Sequence, residues 1–176
     1  MGRMIFAMNV SLDGYVDHMG FAPSETVFRH FIERVATVDA VVYGRGLYEV
    51  MRYWDEDQAG WGERQQSYAQ AWRRMPKWVV SKTLTAVGPN ATLVGDNVEA
   101  VMRDLKARTQ GQIDVGGTVL AHSLGEMGLL DEYQLYLAPV VLGQGKPFFP
   151  AARPRLRLVA STPIDDDVLR LSYVPA

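Results

Sequence analysis

The chain has 176 residues, 48% of them hydrophobic and 22% charged, with a formal net charge of -2 and no cysteine. That length supports one domain with a full core, spanning 1–176, and the composition excludes a disordered or fibrous chain. The near-neutral charge excludes any overall electrostatic pull toward nucleic acid, and the lack of cysteine excludes disulfides, zinc-thiolate sites and thiol catalysis.

"RMIFAMNV" (Arg3 to Val10) is a short apolar run closed by the turn-rich "SLDG", which predicts a buried strand and a loop. "SETVFRHFIERVA" follows, with Ser24 as N-cap and Val27, Phe28, Phe31, Ile32 and Val35 on one helical face. "DAVVYG" predicts a second buried strand ending at Gly44, with a helix starting near Leu47. After "YWDEDQAGW", the segment "ERQQSYAQAWRRM" predicts a helix stopped by Pro76, and "KWVVS" a third strand. "ATLV" is strand-like, "NVEAVMRDLKART" predicts a helix capped by Asn97, and "GQIDV" leads into Gly116-Gly117. A helix beginning at Thr118 is expected to turn Val119, Leu120 and Leu124 inward. The last third, "DEYQLYLAPVVLG", "PRLRLVAST" and "DDDVLRLSYV", carries consecutive strands. Strands alternating with helices and finished by strands predict an α/β sheet with antiparallel strands added at one edge.

No run approaches about 18 apolar residues, so no membrane span is expected. The N-terminus lacks a signal-peptide pattern, and Phe6 stands where myristoylation requires Ser or Thr. A cytoplasmic protein is expected.

Candidate chemistry collects at three strand ends, "VVYGRGLYE", "WVVSKT" and "IDVGGTV". In an open α/β sheet, ligands bind beyond the carboxyl ends of such strands. Gly44 and Gly46 would let backbone approach a phosphate, Arg45 offers a fork of donors, and Ser81 and Lys82 add a hydroxyl and a charge. Gly116 and Gly117 before a helix N-terminus make a seat for an anion. This suits a dinucleotide with an extra 2′-phosphate, although the spacing fits neither the Rossmann nor the Walker fingerprint, and a solvated Arg45 or Lys82 would look the same in sequence.

His18, His30 and His122 lack metal-ligand spacing, so no metal site is expected, and no nucleophile-elbow motif is present. Met4 and Met8 read as core filler, His122 beside Ser123 as an ordinary helix pair, and Asp165 to Asp167 as a polar turn. Tyr53, Trp54 and Trp61 are either aromatics tucked onto the body or the rim of a site for a planar ligand.

The order of "MNVSLDGYV", "VVYGRGLYE", "VVSKT" and "DVGGTVLAHSLGEMGLLDEYQLYLAPVVLGQGKPFF" resembles the dihydrofolate reductase-like superfamily, and within it the C-terminal domain family of the riboflavin-biosynthesis reductase RibD. The resemblance covers nearly the whole chain. It implies a three-layer α/β fold, a central mixed, mostly parallel sheet with helices on both faces, and an NADPH-dependent reductase that works as a homodimer on a small-molecule substrate. Hydride transfer would be to a C=N or C=O, and the riboflavin-pathway aminopyrimidine is the family's substrate. Gly44, Arg45, Gly46, Ser81 and Lys82 would surround the 2′-phosphate, and Gly116, Gly117, Thr118 and Val119 the pyrophosphate, with a cis Gly-Gly bond as in dihydrofolate reductases. Asn9, Ser11, Tyr15 and Phe28 would lie on the substrate side, with Asp13 handling a proton, and Gly143 to Phe149 would join the substrate side or a dimer contact. Two positions depart from the pattern. Phe28 stands in the register of the acid of dihydrofolate reductases, with Glu25 about one turn earlier, and Val115 stands where riboflavin reductases carry an acid, with Asp114 turned to the opposite face. These departures motivate a second reading, a non-catalytic dimeric module that binds a nucleotide or pterin-like ligand; a true dihydrofolate reductase ranks below both.

Overall fold

The computed structural model describes residues 1–17, 20–153 and 155–176; His18, one of the three histidines considered above, lies outside them. The elements in chain order are β1 (Arg3–Val10), β2 (Tyr15–Val16), α1 (Glu25–Thr37), β3 (Ala40–Gly44), α2 (Arg45–Met51), a 3-10 turn (Arg52–Trp54), α3 (Glu63–Arg74), β4 (Lys77–Val80), β5 (Ala91–Val94), α4 (Val98–Arg108), β6 (Gln112–Gly116), α5 (Thr118–Glu126), β7 (Glu132–Leu137), β8 (Lys146–Pro147), β9 (Leu156–Pro163) and β10 (Leu169–Pro175). Eight strands form one sheet in the order β5-β4-β3-β6-β1-β7-β10-β9, and β2 pairs with β8 separately. The run from β5 to β7 is parallel, while β10 and β9 are antiparallel additions, which is the arrangement expected from the strand-rich last third.

The alternation of β3 shows why the sheet is covered on both faces. Ala40 and Val42 enter one core cluster with Met102 and Leu105 of α4 and Leu120 and Leu124 of α5. Val41 and Tyr43 enter a second with Tyr68 and Trp72 of α3, against which Phe28, Phe31 and Ile32 of α1 pack. A strand buried on both faces reads as a continuous apolar run, as "AVVY" does. Its carboxyl end, with those of β1, β4 and β6, therefore opens between two helical layers.

The α1 cap is as expected, with the Val27 N–H donating to Ser24 Oγ at 3.1 Å. Three local expectations are corrected. α2 starts at Arg45 rather than near Leu47, because Gly44 already holds the extended backbone of an N-cap residue. Asn97 precedes α4 but takes φ +52 and makes no side-chain capping bond; a left-handed backbone does not present its side chain to the first-turn N–H groups. Val119 is not turned inward: it is 72% exposed, whereas Leu120 and Leu124 are buried, because the first turn of α5 overhangs the open end of the sheet. The acidic run near the C-terminus is a polar turn, Asp165 accepting from the N–H groups of Asp167 and Val168.

Candidate functional site

Beyond the carboxyl ends of β1, β3, β4 and β6 lies a cleft of about 940 Å³. Of the anion-site residues expected from sequence, Gly44, Arg45, Gly46, Lys82, Gly117, Thr118 and Val119 line it together. Three separate chain segments thus meet at one crevice, where α/β sheets bind ligands. Met8, expected to be core filler, lines it as well, as do Gly145 and Lys146 from the Gly143 to Phe149 stretch expected on the substrate side or at a dimer contact; Val16 and Asp17 complete this part of the wall without a sequence signal. Asp17 is the carboxylate among these lining residues.

The two adjacent glycines serve different purposes. A Cβ on Gly116 would stand 2.4 Å from Leu47 Cδ2 and 2.6 Å from the Tyr43 ring, so Gly116 is required by packing behind the cleft and does not line it. Gly117 takes φ +104, a conformation that side chains rarely adopt, and turns the chain from β6 into α5. No cis peptide occurs among the described residues, which corrects the cis Gly-Gly bond implied by the resemblance: the positive φ of Gly117 makes the turn with trans geometry. No side chain caps the N-terminus of α5. Its first N–H groups therefore remain available to an anion in the cleft.

The cations are held unequally. Arg45 donates from Nε to Glu49 at 2.9 Å and from Nη1 to Thr83 Oγ1 at 2.9 Å, which aims its guanidinium along the rim. Lys82 and Lys146 enter none of the ion pairs found among the described residues. Ser81 does not line the cleft: its hydroxyl accepts from the N–H groups of Thr83 and Leu84 and so closes the turn that carries Lys82. Thr83, passed over in the sequence, is the residue that steadies Arg45.

None of the four expected substrate-side residues lines this cleft. Ser11 is buried and its Oγ accepts from the Tyr15 N–H at 2.9 Å, so it builds the turn after β1, and Tyr15 belongs to the β2–β8 ribbon. Asn9 alternates with Met8 on β1 and sits in register with Tyr136, on the face away from the cleft that Met8 lines. Phe28 lies at ring-centroid distances of 6.5 Å from Trp54 and 5.9 Å from Tyr68. With Tyr53, Trp54 and Trp61 it lines a separate hollow of about 760 Å³. The three aromatics of "YWDEDQAGW" pack on one another, with Trp61 Nε1 donating to the Tyr53 hydroxyl at 2.9 Å.

Asp13, the expected proton handler, is likewise absent from the cleft wall. Its carboxylate accepts from the N–H groups of Leu142 at 3.1 Å and Gly143 at 2.7 Å. Hydrogen bonding by the Ser11 hydroxyl, then by these amides, holds its carboxyl below the usual carboxylate value. A carboxylate kept ionised with both oxygens occupied is a clasp between loops.

Asp114 does face away from Val115, as expected. It receives Arg34 through two bonds of 2.7 and 2.9 Å, while Arg34 also donates to Gln134 Oε1 at 2.7 Å. His30 Nε2 lies 3.0 Å from the Tyr136 hydroxyl, and burial, then the charges of Arg170 and Arg34, push its pKa down. Val115 is part of the apolar core. Among the described residues, no group of three or more His, Cys, Asp or Glu is placed to hold a metal, and no helix is long and apolar enough to cross a membrane.

The family described as RibD C-terminal domain matches residues 3–170 of the chain. The chain belongs to that family. Within known sequences it is 25% identical over 186 residues to the uncharacterized protein YyaP of Bacillus subtilis (strain 168), covering 97% of this chain and 94% of that one. Among solved structures it superimposes on a protein of Shewanella sp. PV-4 provisionally assigned to riboflavin biosynthesis, with a TM-score of 0.75, 22% identity and coverage of 100% and 99%. It also superimposes on dihydrofolate reductase from Enterococcus faecalis complexed with NADP(H) and RAB-propyl, with a TM-score of 0.65, 16% identity and coverage of 98% and 96%. These likenesses make the architecture that of a RibD C-terminal domain within the dihydrofolate reductase-like fold.

Proposed function

We propose that this RibD-type domain is a reductase that takes NADPH and delivers hydride to the C=N or C=O carbon of a small heterocyclic substrate. The observation that carries this reading is the single cleft shared by Gly44, Arg45, Lys82 and the uncapped start of α5. These residues fit a phosphorylated dinucleotide. The backbone N–H groups of Thr118 and Val119, opened by Gly117, would take the diphosphate, and Arg45 with Lys82 the adenosine 2′-phosphate. The apolar Met8, Val16 and Val80 suit the faces of planar rings. Gly116 and Ser81 support this site from behind. The dihydrofolate reductase that shares the fold was solved with NADP(H), which favours the same cofactor class.

When bound, the nicotinamide supplies the hydride; the chain binds and orients it against the substrate. We further propose a single-domain, cytoplasmic protein that works as a homodimer. Support for the dimer is β9, an edge strand in which Leu158 and Val159 are 49% and 45% exposed, a liability that pairing with a second copy removes.

The second reading is a non-catalytic nucleotide- or pterin-binding module. It is favoured by Phe28 and Val115, both packed into apolar surroundings where related reductases carry acids. An equilibrium titration with NADPH and then NADH, followed by tryptophan quenching, tests the cofactor reading. Micromolar binding with preference for NADPH is expected; binding of neither would overturn it. Oxidation of NADPH with pyrimidines, pterins or small carbonyl compounds separates the reductase from the binding module.

A further inference from the structure

Lys146 reaches the cleft from a part of the chain that no parallel strand end supplies. It lies on β8, whose partner β2 follows the first loop, with Val16 opposite Lys146 and Tyr15 opposite Pro147. Its Nζ stands 4.0 Å from where a Cβ on Gly46 would be. The side chain thus spans from the β2–β8 ribbon to the first turn of α2. That turn adjoins Gly44, whose backbone meets Gly117 at the start of α5. The ammonium therefore lines the same cleft as the uncapped start of α5.

The ribbon is fastened along its length. Leu12 N–H donates to Val140 O at 2.8 Å, and Phe148 N–H to Gly14 O at 2.9 Å. Asp13 holds the Leu142 and Gly143 N–H groups between them. Gly145 takes φ +140 with Tyr15 against it, and the buried Phe148 ring packs at 4.5 Å from that of Phe6. Only Gln144 and Gly145 separate the Asp13 clasp at Gly143 from Lys146, so the clasp sets where the ammonium falls.

We infer that Lys146 clamps the diphosphate of the bound dinucleotide, and that Asp13 is a positioning residue that acts through Lys146 by fixing the ribbon. The inference rests on the cofactor reading above. A lysine is a compact, strongly hydrated charge on a flexible stem, so it is effective at a phosphate only if its backbone is held. The clasp provides that restraint, and it accounts for an ionised Asp13 on a loop beside the cleft rather than in it.

The test is a double-mutant cycle on dissociation constants for NADPH and NADH at low and high potassium chloride, using wild type, Lys146→Gln, Asp13→Asn and the double variant. Lys146→Gln is expected to weaken both cofactors by a similar factor of about ten at low salt, with a smaller loss at high salt. Asp13→Asn is expected to weaken both by a smaller factor and to add nothing once Lys146 is replaced. Thermal midpoints check that each variant folds; Lys146 is exposed, so its variant decides the clamp even if Asp13→Asn unfolds. Unchanged affinity in Lys146→Gln, with wild type binding NADPH, overturns the inference and leaves the cofactor reading standing. A loss confined to NADPH overturns the diphosphate assignment, and an additive Asp13 effect overturns the positioning role. Failure of wild type to bind either cofactor removes the cofactor reading and the inference together.

Discussion

Gly117 lies backbone to backbone against Gly44: a Cβ on Gly117 would stand 3.6 Å from the Gly44 nitrogen and 3.8 Å from its Cα. The ends of β3 and β6 can come this close because they are neighbours in the sheet, with Tyr43 opposite Gly116. The contact forms the floor of the cleft.

Gly117→Ala and Gly116→Ala should fail for different reasons. At Gly117 the cost is conformational, about 1–3 kcal/mol for a side chain at φ +104, and no neighbouring substitution relieves it. At Gly116 the cost is steric overpacking against Leu47 and Tyr43, also about 1–3 kcal/mol, and Leu47→Ala should recover part of it. Urea denaturation of the single and double variants measures both.

Arg45→Ala should weaken NADPH about ten-fold or more, through loss of charged hydrogen bonds, while changing NADH little. Thr83→Val, which leaves the guanidinium in place but removes its partner at 2.9 Å, should give a smaller loss with the same selectivity. Equal losses for the two cofactors in a binding titration would remove the 2′-phosphate assignment.

The ion pair between Arg34 and Asp114, with side chains 10% and 17% exposed, is buried beneath α1. Asp114→Ala should destabilise the fold by about 3–5 kcal/mol, because it leaves the Arg34 charge buried without its partner. The combined Arg34→Met and Asp114→Leu variant should regain most of that loss, as read from the denaturant midpoint. A single-variant cost as small as that of a surface pair would show that Arg34 reaches water.

Lys77 is almost fully buried, donates from Nζ to Met75 O at 2.9 Å, and sits 4.7 Å from the centre of the Trp72 ring. Burial pushes its pKa down from 10.5 to about 8, with Asp55 opposing the shift. Between these values the unfolded chain binds more protons than the fold, so this group's contribution to stability rises with pH across that window. Lys77→Met should therefore gain thermal midpoint relative to wild type near pH 7, and the advantage should shrink between pH 8 and 10.5. A difference between the two proteins that is flat with pH would contradict the shift.

Leu158→Lys on β9 should abolish a dimer built on that edge, since two like charges would meet where the strands pair. Light scattering of wild type and variant reads this directly. A wild-type monomer, or a variant that stays dimeric, would move the interface elsewhere.

Much of the scaffold was legible in the residues themselves, because the signals are local. Apolar runs such as "AVVY" announce buried strands, Ser24 caps its own helix, and Gly116-Gly117 before Thr118 marks the passage from β6 into α5. The glycines and cations at three strand ends were likewise readable, since topology alone brings parallel strand ends to one side. What tertiary structure decided is which of those side chains face a common space. Alternation along β1 sends Met8 to the cleft and Asn9 away from it, and the loop after α2 carries Phe28's aromatic partners into a hollow of their own. Asp13 and Lys146 stand far apart in the chain, and the pairing of β2 with β8, with the Asp13 bonds to Leu142 and Gly143, brings their segments together. The physical reason is the same in each case. Backbone propensity and hydrophobic period act over a few residues, whereas the partner of a charge or hydroxyl is whatever the packed sheet sets beside it.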